Sequence, residues 1–169
     1  MKICVYFRPS IKDTNIESIR LRKLIKGALE EMHIAYATNT VDSYDVIHFL
    51  SPLDERKIFD AIENKIPVVF SALYAESDKE CQIIFEKNGQ EYIPNKILRV
   101  LNSVDLILVS DELSKNKLYS LGVKNKIEII TAGVNVSRFK SPIIEKDEIA
   151  YSYFQVNKNE KMVLSIGNF

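Results

Sequence analysis

Apolar and polar positions along this chain fall into two recurring patterns. Short runs of β-branched and aromatic residues alternate with longer stretches in which Leu and Ile return every three or four positions. The first pattern predicts strands and the second amphipathic helices. Residues 2–7 form the first apolar run, a buried strand. Residues 8–14 make a loop, and Asn15 is placed to cap a helix running to about residue 32. Leu21, Leu24, Ile25, Ala28, Leu29 and Met32 form its apolar stripe. Residues 33–38 and 45–50 read as the second and third strands, the third closed by Ser51 and Pro52. A helix over 53–65 turns Ile58, Phe59 and Ile62 inward. Pro67 opens a fourth strand through 71, which is admissible because a strand's first residue need not donate to the ladder. Residues 72–94 are irregular, with a helical stretch over 79–87 that Asn88 and Gly89 end. A helix over 95–102 follows, with Ile97, Leu98 and Leu101 inward. Residues 105–110 make the fifth strand. Asp111 caps a helix to 120, and Gly122 stops it. Ile127, Ile129 and Ile130 predict a buried sixth strand over 127–131.

Strands alternating with helices at these spacings call for right-handed βαβ crossovers. The expected fold is α/β, a Rossmann-like doubly wound parallel sheet with helices on both faces. Beyond Phe139 the chain changes character. Ser141 and Pro142 interrupt it, a helix is expected over 145–154, and residues 156–161 are polar. Residues 162–166 form a fresh apolar strand that Gly167 stops. The expected organisation is a Rossmann-like domain over 1–141, a helix and linker over 142–161, and the first strand of a truncated second domain over 162–169. The competing expectation pairs 162–166 as the last strand of the main sheet.

Composition narrows the function classes. The chain has 169 residues, with 23 Lys+Arg against 23 Asp+Glu. That balance leaves no basic field to attract nucleic acid. The two histidines, His33 and His48, argue against a multi-histidine metal site. Cys4 and Cys81 follow no metal or redox spacing and are expected as buried, unpaired thiols. No apolar run is long enough to span a membrane. The first strand is interrupted by Arg8 and Pro9 too soon for a signal peptide. A cytoplasmic protein is therefore expected. Arg20, Arg22, Lys23 and Lys26 crowd the first helix, either as a solvated face or as a surface for anionic lipid headgroups at the inner face of the membrane.

In parallel α/β sheets, ligands bind outside the carboxyl ends of the strands. That rule selects the candidates. Arg8, Pro9 and Ser10 follow the first strand, and Arg8 can meet a phosphate in a bidentate way or stay a solvated loop residue. His48 and Ser51 lie at the end of the third strand, where a structural role for the histidine competes with a functional one. Tyr74, Glu76 and Asp78 follow the fourth strand; Glu76 is placed to orient an acceptor hydroxyl, or simply to be solvated. Ser110 and Asp111 end the fifth strand, where capping alone explains the aspartate. Gly133 and Asn135 form the turn after the sixth, suited to a close backbone approach or to an ordinary strand-to-helix turn. The loop over 8–14 has no glycine, so the dinucleotide fingerprint is absent and an oxidoreductase is disfavoured.

Several pieces appear in a telling order: Asp45 to His48, Pro67 to Ser71, Ser103 to Ser110, Leu121-Gly122, the stretch from Gly133 to Phe139, and Val163 to Gly167. This order resembles the N-terminal domain of group 1 (family 4) retaining glycosyltransferases of the GT-B fold. The stretch from Gly133 to Phe139 is similar to the family's Gly-Val-Asp-x-x-x-Phe signature, with Asn135 at the usual Asp. The resemblance implies the acceptor-binding half of a nucleotide-sugar-dependent enzyme, in bacterial cell-surface polysaccharide or glycolipid synthesis. The implied partners are a sugar or lipid-linked sugar acceptor and the chain's own C-terminal domain. That domain would bind the nucleotide-diphosphate sugar donor, and the fragment alone would be inactive. In such enzymes the acceptor attacks from the face the diphosphate leaves. No catalytic residue is expected in this half, and with no Asp-x-Asp no metal or other cofactor is expected either. The sequence departs from the family in two places: the first loop lacks its glycine pair, and Leu73 and Tyr74 stand where its histidine often follows the fourth strand. Both departures suit a rival reading, a free-standing Rossmann-like binding module without catalysis.

Overall fold

The computed structural model describes residues 1–6, 16–72, 82–130, 146–157 and 160–161, with the side chains of 16–22 and 146–147 outside the description. The chain divides into two compact units, Met1–Val134 and Asn135–Phe169.

In the first unit, six parallel strands form one sheet. They are β1 (Lys2–Tyr6), β2 (Ala35–Ala37), β3 (Val46–Phe49), β4 (Val68–Ser71), and, after a hairpin of β5 (Phe85–Lys87) and β6 (Gln90–Tyr92), β7 (Leu106–Val109) and β8 (Ile127–Ile129). The order across the sheet is β2-β1-β3-β4-β7-β8. Growth runs one way from β1 to β2 and the other way from β1 through β3 to β8. Right-handed crossovers then put the connections of the two directions on opposite faces, as the packing shows. Helix α1 (Ile16–Glu31) packs Ile25 and Leu29 with Ile3 and Val5 on one face. Helices α2 (Glu55–Glu63), α3 (Asn95–Leu101) and α4 (Glu112–Ser120) pack on the other, around Ile47, Phe49, Val68, Phe70, Ile107 and Val109. Cys4 is buried in this larger core with a free thiol.

The Rossmann-like α/β expectation holds, with local corrections. The stretch 82–87 is not helical: Phe85–Lys87 pairs antiparallel with Gln90–Tyr92. Asn88 (φ 55°) and Gly89 (φ 75°) both sit in the left-handed region, the conformation of a two-residue hairpin turn. The Asn-Gly pair is therefore a strand reversal and not a helix stop. β8 is an edge strand, so Ile129 and Ile130 are exposed and only Ile127 is buried. Ala28 and Met32 also face solvent instead of the core. His33, expected in the second strand, instead closes α1: its φ is 53°, and Ile34 N–H reaches back to the Leu29 carbonyl. In the second unit, helix α5 spans Lys146–Phe154. The expected strand at 162–166 lies outside the described residues.

Candidate functional site

The direction of sheet growth reverses between β1 and β3. In a parallel sheet, the carboxyl ends of two such strands border a crevice, because their connections leave on opposite faces. β1 ends in Tyr6 and β3 in Phe49, whose rings pack with centroids 5.4 Å apart. They face the larger core. On that side the loop between β2 and β3 crosses β1, and the Cys4 thiol donates to the Asn39 carbonyl at 3.2 Å. The first turn of α2 brings Lys57 over this floor. Its Nζ lies 4.6 Å from the Tyr6 ring centroid and donates to Thr40 Oγ1 at 3.1 Å.

His48 points to the opposite face, beside Val5 and Val69, its register partners. Its Nε2 lies 2.7 Å from Ser71 Oγ, and Ser71 is buried at the end of β4. Burial lowers the imidazole pKa from 6.5 to about 4. The ring is therefore neutral near pH 7, and the Ser71 hydroxyl and His48 Nε2 share one hydrogen bond whose direction follows the tautomer. A neutral, partnered ring is suited to holding a hydroxyl in place, and is not a proton donor of general-acid strength at that pH.

Ser51 follows β3, and its Oγ accepts from Leu53 N–H at 3.3 Å, shaping the turn into α2. Asp111 caps α4: Oδ1 accepts from Ser114 N–H at 2.7 Å, and Oδ2 accepts from the hydroxyls of Ser110 at 2.6 Å and Ser114 at 3.0 Å. These bonds, that from Ser110 first, hold its carboxyl below the usual range. Capping thus accounts for the geometry of Ser110 and Asp111.

His48, Ser51, Ser110 and Asp111 all lie at the carboxyl edge of the sheet, on or after β3 and β7, with β4 between. Arg8, Pro9, Ser10, Tyr74, Glu76, Gly133 and Asn135 lie outside the described residues. The structure adds two side chains that the sequence reading passed over, Ser71 and Lys57. Ser71 had a weak signal, a serine ending an otherwise apolar strand. Lys57 had a weak one too: a cation in the first turn of a helix opposes the macrodipole, as Arg56 beside it also does. Among the described residues, no cluster of His, Cys, Asp and Glu is arranged to hold a metal ion. Against family models, curated proteins and solved structures, the chain has no match.

Proposed function

We propose that this chain is the acceptor-binding half of a nucleotide-sugar-dependent retaining glycosyltransferase. The observation that carries the reading is the order of the family-like pieces along one parallel sheet. Asp45 to His48 runs into β3, Pro67 to Ser71 into β4, and Ser103 to Ser110 into β7. These strands are neighbours and deliver their carboxyl ends to one edge. Glycosyl transfer by front-face attack needs positioning and charge stabilisation more than a protein nucleophile. An acceptor side built from strand ends meets that need, and the donor would sit on a second domain.

The test is the complete gene product, incubated with a panel of nucleotide-sugars and lipid-linked acceptors. Release of nucleoside diphosphate together with a retained anomeric configuration supports the reading. A gene product with no second Rossmann-like domain and no transfer overturns it in favour of a free-standing binding module, the reading that the glycine-free first loop favours.

A peripheral membrane role for α1 is part of the same proposal. Its sequence carries Arg20, Arg22, Lys23 and Lys26, and Lys23 is exposed. Among the described residues, no helix is long and apolar enough to cross a membrane, so contact through α1 would be at the surface. Charge reversal by Arg22→Glu and Lys26→Glu should weaken pelleting with phosphatidylglycerol vesicles, and added salt should do the same. Unchanged pelleting would assign these residues to a solvated face.

A further inference from the structure

Lys57 is placed where a cation is unfavourable on helix grounds alone, in the first turn of α2 at the positive end of the macrodipole. Two contacts nevertheless hold its ammonium near the carboxyl end of β1. Its Nζ lies over the Tyr6 ring, which is itself buried against Phe49. Thr40 accepts one of its three N–H donors. Among the described residues, no ion pair joins a carboxylate to it; of the acidic groups nearby, Glu55 pairs with Lys96 and Arg99 of α3, and Asp42 with Lys2. Donor capacity remains on an ammonium that rests on an apolar floor, where attraction to an anion is stronger than in open water.

We propose that Lys57 and Thr40 form the seat for a phosphate ester at the carboxyl end of β1. The ammonium supplies charge-assisted hydrogen bonds to phosphate oxygens, and the Thr40 hydroxyl donates to another oxygen when Lys57 turns to the ligand. Two sources offer this chemistry, a phosphorylated or lipid-phosphate acceptor and the diphosphate of a nucleotide. The lysine lies on the half of the fold assigned above to the acceptor. Naming the ligand an acceptor rests on that reading, but the phosphate seat does not.

The experiment is a titration of the full chain, labelled with ¹⁵N, at constant ionic strength, with glycerol 3-phosphate in one arm and uridine diphosphate in the other. Saturable shifts centred on Thr40, Lys57 and Tyr6 are expected. Lys57→Ala should weaken binding by about tenfold or more, as loss of a charge-assisted bond implies, while Lys57→Arg keeps it within about threefold. Lys57→Gln keeps a polar side chain without the charge, and it replaces Lys57→Ala if the alanine variant melts early. Tighter binding of glycerol 3-phosphate supports an acceptor phosphate; tighter binding of uridine diphosphate supports the seat and moves its ligand to the donor. Absence of saturable binding in both arms overturns the proposal. So does a folded Lys57→Gln variant that binds as wild type does, which would leave Lys57 as a cover for Tyr6. Because the readout is binding and not transfer, failure of the glycosyltransferase reading leaves this result interpretable, and the converse holds too.

Discussion

At the scale of single residues, His48 shows how position and role separate. Its place near a strand's carboxyl end is legible from the apolar run that contains it. Its partner is not, because Ser71 lies 23 positions away and only the register of β3 against β4 brings the two together. The pair has a consequence in solution. The unfolded chain takes up the His48 proton near pH 6.5, whereas the folded chain resists it until about pH 4. Between those values the unfolded state binds more protons, so stability falls as the pH drops through the window. The loss is up to about 3 kcal/mol at its acid end. Urea midpoints measured from pH 7 to pH 4 should decline for the wild type and decline less for His48→Leu. Equal slopes would place the acid sensitivity elsewhere.

At the scale of elements, the helix ends carry the same lesson. α1, α2 and α4 all close by a left-handed residue, His33, Lys65 and Gly122, with the next N–H reaching five residues back. Only the glycine announced itself. His33 and Lys65 adopt the same conformation because Ile34 and Ile66 beyond them are drawn into apolar clusters. A Cβ at Gly122 would meet only the Leu98 methyls, Cδ2 at 3.5 Å and Cδ1 at 3.9 Å, both ordinary contacts, so the cost of Gly122→Ala is that of the backbone at φ 99°. It should destabilise by about 1 kcal/mol, read as a lower midpoint in thermal melts. The hairpin of β5 and β6 is the converse case. Asn88 and Gly89 suit a helix end and a hairpin turn equally well, and the difference lies in whether a second strand returns. It returns here because Phe85 and Tyr92 pair across it and Lys117 of α4 bonds to Glu91.

At the scale of the molecule, the two faces of the sheet are unequal. The face with α2, α3 and α4 holds one continuous core, with Phe70 at its centre on β4. The face under α1 holds a smaller cluster of Val5, Leu29 and Leu50. Truncating Phe70 to Ala should cost about 3–5 kcal/mol, and Leu29→Ala less, near the 2 kcal/mol lower end for such changes. Chemical denaturation of the two variants reads this order directly, and a reversed order would mean that the smaller cluster carries the fold. The same asymmetry bears on the site. Lys57, Tyr6 and Thr40 look out from the larger core, whereas His48 and Ser71 face the α1 side. The residues at this edge therefore serve two different surfaces.

The sequence by itself determined the alternation of strands and helices, the Rossmann-like α/β class, and most element positions. These depend on periods of two and 3.6 residues, which are local. It also marked the strand ends, since apolar runs stop at polar residues there, and so it reached His48, Ser51, Ser110 and Asp111. Tertiary structure alone decided what those residues touch. It put β8 at an edge, which exposes Ile129 and Ile130 despite their strand-like character. It paired His48 with Ser71, and it laid Lys57 over Tyr6 beside Thr40. Each of these depends on strand order and register, which join residues far apart in the chain and leave no periodic trace along it.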